Sequence, residues 1–376
     1  MDLDFTEEQE MLRATARNFL KTECSKSVVR QLEESDLGYS PEIWKKMAGL
    51  GWQGLAFPEK YGGTGMTFFE FALVMEQMGY NILPSPFLST IICGLAILEA
   101  GTEAQKKELL SKVAAGSTIL AFAHTEPSAS WKATDISTKA AASGDKYIIN
   151  GTKLFVADAN LANFLLVVTK TGESVNSEEN ITMFLVNAKS PGIQCEPQLT
   201  MGLDNKCEVG FTDVMVDKDD ILGTLNQGWK VVGSVMMKGA TAKVVEMSGG
   251  CQATMEMANS YTKERVQYGR PIGSFQVIQH YLADMWSYVD RTRNIAWEVA
   301  WKVSAGVANP LDVAIAKSWA NEAYKWITER ALHIHGAIGL TRDHDIGLYY
   351  RRAKVAELEY GDTDYQRNIV SRELGL

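Results

Sequence analysis

The hydrophobic period of this chain changes twice along its length, and no other feature constrains the fold as strongly. Over residues 1–118 the apolar positions follow a helical spacing. Phe5, Leu12 and Phe19 recur every seven residues with Ala16 between the last two, which places one stripe on a helix that Thr6 and Gln9 open as a capping box. Further helices are predicted over 40–50, 67–78 and 102–115. Ahead of the 67–78 helix, Phe57-Pro58-Glu59-Lys60-Tyr61-Gly62-Gly63-Thr64-Gly65 reads as a shaped loop. From about residue 117 the spacing becomes alternating, over 118–123, 136–142, 146–149, 163–169, 182–186 and 208–216. Turn residues such as Ser143-Gly144-Asp145 and Asn150-Gly151 separate these runs. Strands with no helix between them predict a compact antiparallel β domain ending near Gly223. After Gly228 the helical period returns in long segments, 244–264, 276–303, 310–333 and 346–358, which predict a four-helix bundle. The expected class is α+β, with an N-terminal helical domain over 1–118, a barrel-like middle β domain over 119–225 and a C-terminal helical bundle over 226–376. No internal repeat or low-complexity tract interrupts this order.

The 376 residues are 46% hydrophobic and 22% charged, a globular balance with enough apolar side chains for a large core. A formal net charge of −9 repels phosphate backbones and anionic membranes, so nucleic acid is not an expected partner. The five cysteines are scattered without a Cys-x-x-Cys pair, which predicts free thiols in a reducing compartment and no zinc framework. Met1-Asp2-Leu3-Asp4 is acidic and resembles neither a secretory signal nor a transit peptide. The longest apolar runs, 91–98 and 164–168, are too short for membrane insertion. A soluble cytoplasmic protein is expected.

Four motifs follow one another along the chain: Pro58-Glu59-x-Tyr61-Gly62-Gly63-x-Gly65, Thr125-Glu126-Pro127, the segment from Arg265 through Tyr268-Gly269-Arg270-Pro271-Ile272-Gly273-Ser274-Phe275-Gln276, and His335-Gly336-Ala337-Ile338-Gly339-Leu340-Thr341. In this order and spacing the chain resembles the acyl-CoA dehydrogenases, FAD-dependent flavoproteins that desaturate acyl-CoA thioesters. The resemblance spans essentially the whole length and includes the α-β-α order of zones.

The proline of Thr125-Glu126-Pro127 stops strand pairing and leaves backbone groups free to meet a ring edge. The resemblance implies that His124 and Thr125 contact the isoalloxazine, and that Phe155 stacks near it with Val156 and Ala157 alongside. Family members often carry a hydroxyl at the Ala157 position, leaving here only a backbone donor for flavin N5. Arg265 is a natural bidentate partner for a pyrophosphate, and the helix start nearby offers N–H groups to the same anion. By resemblance, Arg265, Phe275 and Gln276 bind the adenosine diphosphate part of a neighbouring subunit's FAD. His333, Gly336 and Ala337 face the same pyrophosphate, with Asp362 and Asp364 also near the FAD. His333 and His335 point to different sides of a helix and predict no metal site.

Desaturation needs a carboxylate to take the α-proton and donors to stabilise the developing enolate. In much of the family the base is a Glu just before a Gln-Arg pair. Here the segment reads Glu359-Tyr360-Gly361-Asp362-Thr363-Asp364-Tyr365-Gln366-Arg367, and the register places Tyr360 at that position, supplying only its backbone N–H. Isovaleryl-type members carry Glu-Arg on the preceding long helix, where this chain has Gly239 and Ala240. Glu246 lies seven residues beyond Gly239, on roughly the same face among apolar neighbours, and reads either as a base with a raised pKa or as a structural carboxylate. Trp131 stands where relatives have a small serine against substrate. Together with Tyr360 and Gly239 it implies a cyclic, branched, aromatic or steroid-type acyl group. The resemblance further implies electron-transfer flavoprotein as acceptor and a homotetramer or heterotetramer. Two alternatives stay open: a catalytically silent subunit of a heteromeric enzyme, and a flavin monooxygenase of the same fold.

Overall fold

A computed structural model describes residues 5–376; the acidic Met1-Asp2-Leu3-Asp4 stretch lies outside the described residues. Six helices come first: α1 (Glu7–Glu23), α2 (Lys26–Glu33), α3 (Pro41–Gly49), α4 (Phe68–Asn81), α5 (Phe87–Ala100) and α6 (Glu103–Ala114). The β region holds β1 (Leu120–Ala123), β2 (Lys139–Ser143), β3 (Lys146–Ala157), β4 (Phe164–Lys170), β5 (Ile181–Asn187), β6 (Ile193–Gln198), β7 (Lys206–Asp217) and β8 (Ile221–Leu222). Then come α7 (Trp229–Glu264), a hairpin of β9 (Val266–Gln267) and β10 (Arg270–Pro271), α8 (Gln276–Ser304), α9 (Pro310–His335), α10 (Ile346–Leu358) and α11 (Thr363–Leu374).

The Thr6–Gln9 capping box opens α1 as the sequence predicts, and a second box at Thr102 and Gln105 opens α6. Two helices carry no clear signal. Helix α5 is apolar on nearly every side and therefore shows no period, and α2 spans only two turns. Helix α7 begins at Trp229 rather than near 244, because Gly233 and Gly239 interrupt the apolar pattern without stopping the helix, each at a cost of about 1 kcal/mol relative to Ala.

The sheet runs β6-β7-β3-β2-β4-β5-β8, with β1 paired to β4. The expectation of a wholly antiparallel domain needs correction. Leu120–Ala123 lies parallel to Phe164–Val167, and Lys139 pairs in parallel with Lys170. The β2–β3 hairpin intervenes between β1 and β4, so the chain returns to β4 running in β1's own direction. The run at 146–149 continues to Ala157 as one strand, kept paired to β7 across an irregularity between Ile149 and Gly151 where β7 carries the extra residue.

The described chain divides into two compact units. One, here the β unit, comprises Leu32–Thr67 and Pro84–Lys238; the other, the helical unit, comprises the residues up to Gln31, Phe68–Leu83 and Gly239–Leu376. The β unit closes on a core that includes Ile149, Val167, Phe184, Val209, Phe211 and Val214. In the helical unit α9 packs against α8, α10 and α11. Helices α4 and α7 touch backbone to backbone: a Cβ on Gly79 would overlap the Glu246 carbonyl, so only glycine permits this crossing.

One buried cation organises the end of the helical unit. Lys317 on α9 has 0% exposure, and its ammonium donates to Asn321 Oδ1 at 2.6 Å and to the carbonyls of Ala356 (3.0 Å), Glu357 (3.2 Å) and Gly361 (3.3 Å). These carbonyls belong to the last turn of α10 and the loop beyond it, where helical partners run out. Burial lowers the Lys317 pKa to about 7, against the pull of Glu359. Lys317→Met should leave buried carbonyls unpaired and lower the unfolding free energy by about 2–4 kcal/mol in urea titrations.

Candidate active site

In the β unit the chain leaves β1 at Ala123 and turns through His124-Thr125-Glu126-Pro127. A buried ion pair fixes this turn. Glu126 Oε1 accepts from Lys153 Nζ at 2.7 Å and from the Thr138 N–H at 3.0 Å, while its Oε2 accepts from the N–H (2.7 Å) and hydroxyl (2.5 Å) of Ser137. Lys153 also donates to the His124 carbonyl at 3.2 Å. Burial alone would raise the Glu126 carboxyl, but the Lys153 charge and these donors hold it at about 2. Burial brings Lys153 down to about 8 against the attraction of Glu126.

Lys153 faces inward in the strand's alternation with Tyr147 and Ile149, and just beyond it β3 loses register with β7, between Lys153 and Val156. Within that bulge Phe155 takes a φ of 52° and remains 54% exposed, with its N–H donating to Gln198 Oε1 at 2.9 Å. Positive φ is rare for a bulky residue, and bulges re-aim side chains beside functional sites. Val156 is buried opposite Cys207, and Ala157 pairs with Lys206. Thr125 is half-buried, and its carbonyl accepts from the Leu154 N–H at 2.8 Å, tying the turn to the bulge.

The His124 imidazole is 2% exposed and stacked against Trp131, with centroids 5.5 Å apart and planes 9° from parallel. Phe122 lies at 5.6 Å and Trp229 at 6.2 Å. Neither ring nitrogen has a hydrogen-bond partner. Burial, reinforced by Lys153, lowers its pKa to about 3, so the ring is neutral at physiological pH. The residue expected against cofactor and the residue expected against substrate therefore form one aromatic wall.

In the helical unit the two positions at which a base is expected touch each other. A Cβ on Gly239 would overlap the Tyr360 ring, so the phenol occupies the space that a side chain at 239 would need. Tyr360 has a φ of 55°, and Gly361 follows at 96°. Gln366 Nε2 donates to the Tyr360 carbonyl at 2.9 Å, Lys317 donates to Gly361, and Asp362 accepts from the Tyr365 N–H at 2.8 Å as the cap of α11. Such over-determination is what holds a bulky residue in a left-handed conformation.

Glu246 is one of two carboxylates on Lys243: the ammonium lies 2.6 Å from Glu246 Oε2 and 2.5 Å from Glu359 Oε2. Burial would lower the Lys243 pKa, but Glu246 and Glu359 raise it well above the ordinary range. Sequence reading missed Lys243 as a partner, although the Lys-x-x-Glu spacing to Glu246 on one helix was visible. It also missed Lys153 and Lys317, whose positions in apolar stretches were the available signal.

Arg265 is exposed between the end of α7 and β9, and its carbonyl accepts from the Ile272 N–H at 2.8 Å. Phe275 caps α8 without a side-chain hydrogen bond and carries the Arg270 guanidinium over its ring at 4.3 Å. Gln276 is exposed on the first turn of that helix. His333 is exposed and meets Tyr281 edge-on at 5.9 Å, whereas His335 is buried and its Nδ1 lies 2.7 Å from the Ala331 carbonyl. Gly336 has a φ of 65°, and a Cβ there would meet nothing within 4 Å. Ala337 beside it is exposed, as is Asp364 in the first turn of α11. Among the described residues no group of three or more His, Cys, Asp or Glu side chains could hold a metal ion.

These residues fit a flavin dinucleotide. The bulge in the β unit holds an aromatic ring out of the core, as a stacking partner for a planar ring requires. In the helical unit, the uncapped start of α8 near two arginines suits an anion.

Family models describing the acyl-CoA dehydrogenase N-terminal, middle and C-terminal domains match residues 6–117, 121–214 and 226–375. The chain is 32% identical over the full length of both proteins to the probable acyl-CoA dehydrogenase YngJ of Bacillus subtilis. It is 31% identical to a 3-(aryl)acrylate reductase of Clostridium sporogenes (98% of this chain, 99% of that protein). It is 30% identical to the caffeyl-CoA reductase-Etf complex subunit CarC of Acetobacterium woodii (98% of each). The solved butyryl-CoA dehydrogenase of Megasphaera elsdenii superposes over 100% of both chains with a TM-score of 0.92 at 28% identity. Fold and matches together define an oxidoreductase acting on acyl-CoA. The chain belongs to the acyl-CoA dehydrogenase family, a family of flavoproteins.

Two stability measurements test the electrostatics of the β unit. Lys153→Met leaves Glu126 as an uncompensated buried charge and should lower the unfolding free energy by about 3–5 kcal/mol, with Glu126→Gln/Lys153→Met recovering part of the loss. His124 is neutral when folded and takes up a proton near pH 6.5 when unfolded, so its contribution is lost as pH falls from about 6.5 toward 3. Between pH 7 and pH 5 the loss should be about 2 kcal/mol. His335 and His344, also lowered by burial, add to the same window, so His124→Leu should flatten the profile without abolishing it.

Proposed function

We propose that the chain is an FAD-dependent enzyme that moves hydrogen across the α,β-bond of an aromatic or otherwise bulky acyl-CoA thioester. The observation that carries this reading is Trp131 stacked on His124 with Phe122 and Trp229 behind it. A planar acyl group gains most from such a wall, because aromatic pairs add about 0.5–1.5 kcal/mol beyond the area they bury. The names of the arylacrylate and caffeyl-CoA reductases favour the same substrate class. Bound FAD would supply the two-electron chemistry at the β-carbon, with Phe155 and Thr125 against its ring system and Arg265, Phe275 and Gln276 toward a pyrophosphate. The exposed Val266 and Tyr268 beside Arg265 favour a subunit contact there. Electron-transfer flavoprotein is the proposed acceptor, supported by the Etf complex to which the caffeyl-CoA reductase subunit belongs.

Glu246 is the proposed base for the α-proton, released when Lys243 is held by Glu359 alone. The Tyr360 ring seated on Gly239 favours a second reading, in which the chain is a silent subunit supplying fold and flavin contacts to an active partner.

Anaerobic titration of the purified chain separates these readings. Arylpropanoyl-CoA should bleach bound flavin while butyryl-CoA bleaches it far less, and Glu246→Gln should slow bleaching by about 100-fold. Equal bleaching by both thioesters removes the aromatic assignment, and unchanged bleaching in Glu246→Gln removes the base. Bound flavin that no thioester bleaches supports the silent subunit.

A further inference from the structure

Strand β6 is the edge of the sheet, and on it Cys195 sits opposite Val209 while Pro197 sits opposite Cys207. Cys195 and Cys207 are therefore diagonal neighbours on one face of an antiparallel pair. Each thiol acts on the other's ionisation: their mutual hydrogen bond raises the Cys195 pKa and lowers that of Cys207. The environments of the two thiols differ. Cys195 is exposed, whereas Cys207 is fully buried beneath the edge strand and pairs on its other side with Val156, next to Phe155.

We propose that Cys195 and Cys207 form a dithiol redox site that a hydroperoxide converts to an intramolecular disulfide. The hydrogen bond with Cys195, the backbone N–H of Asn160 and the adjacent Lys206 favour the thiolate at Cys207 against its burial and the Asp158 charge, while the same hydrogen bond holds Cys195 as the thiol. The Cys207 thiolate attacks one peroxide oxygen, the O–O bond breaks, and Cys207 becomes a sulfenic acid as the leaving hydroxide takes back from solvent the proton that Cys207 had lost and departs as water. The Cys195 sulfur then attacks the sulfenic sulfur, the S–S bond forms, and a second water leaves with the Cys195 proton. Two thiols lose two electrons and one hydrogen peroxide is reduced to two waters. Peroxide reaches Cys207 when β6 lifts transiently from β7, an edge strand being bonded along one side alone, and the Cys195 thiol meets the oxidised sulfur once β6 reseats.

The disulfide would tie β6 to β7 close to Gln198, whose side chain receives the Phe155 N–H. Oxidation thus fastens the strand that holds the Phe155 bulge. The remaining cysteines, Cys24, Cys93 and Cys251, are buried, and burial raises their pKa values. They are the internal controls.

The two thiols fall on separate tryptic peptides, 190–206 and 207–218, so the bond can be read directly. The full-length protein is reduced, exposed to a small excess of hydrogen peroxide, alkylated and mapped without reductant. The expected product is those two peptides joined, two hydrogens lighter than their sum, and separated again by dithiothreitol. Cys195→Ser, at an exposed position, should abolish the joined product and leave Cys207 oxidised to a sulfinic acid. The proposal is overturned if both cysteines remain alkylatable after peroxide, if Cys195 pairs only with a second copy of the chain, or if the joined peptides contain Cys24, Cys93 or Cys251 instead.

Discussion

A single ammonium inside the helical unit determines what the candidate site can present there. Lys317 binds the carbonyls that α10 leaves unpaired at its end and the carbonyl of Gly361 beyond it. Together with Gln366 on the Tyr360 carbonyl, it fixes a turn containing two consecutive residues with positive φ. An L-residue as large as tyrosine adopts that conformation only under such constraint. The direction of the Tyr360 ring, and its seat on Gly239, follow from hydrogen bonds made behind it. Helix capping, ordinarily a matter of local stability, here sets the side chain that occupies the expected base position.

The β unit solves a parallel problem with opposite means. Its most deeply buried charges are a pair, Glu126 and Lys153, in which an inward-facing side chain of β3 meets the turn after β1. Lys153 keeps the strand's alternation and its pairing with Val209, and the extra residue that β3 carries just beyond it brings Val156 inward and leaves Phe155 outside. The same pair sits behind His124, and Lys153 binds its carbonyl. Burial and the Lys153 charge keep His124 neutral, so the Phe122, His124, Trp131 and Trp229 rings form a neutral aromatic layer beside the pair.

Periodicity made the order of elements legible, and several boundaries follow from local chemistry: the capping box of α1, the start of α6 beside Thr102 and the limits of α10 at 346–358 lie where the sequence places them. What was not legible depended on partners distant in sequence. Helix α5 has no polar face to betray it, β1's parallel pairing is a property of topology, and α7 runs through glycines that the pattern reads as a break. In the site, Trp131 and Tyr360 were readable as departures from the family pattern, but their surroundings were not. Nothing in the segment around residue 360 announces that Lys317 lies beneath it. Glu246 read as an isolated carboxylate among apolar neighbours, yet its environment is set by Lys243 one turn earlier and by Glu359 more than a hundred positions away.

The contact between Gly239 and Tyr360 makes the two absences one feature. A side chain at 239 is excluded while the tyrosine ring is in place, and removing the ring alone would open a void over a bare glycine. A carboxylate therefore cannot be restored at 239 by one substitution, since Gly239→Glu collides with the ring unless residue 360 is also made small. Restoring it at 360 exchanges an aromatic ring for a shorter, charged side chain in the same confined space, with desolvation opposing the charge. Each position holds the other in its present state, and both rest on the turn that Lys317 fixes. This coupling explains why neither expected base position carries a carboxylate, and why the nearest candidate charge lies instead in the Lys243 cluster.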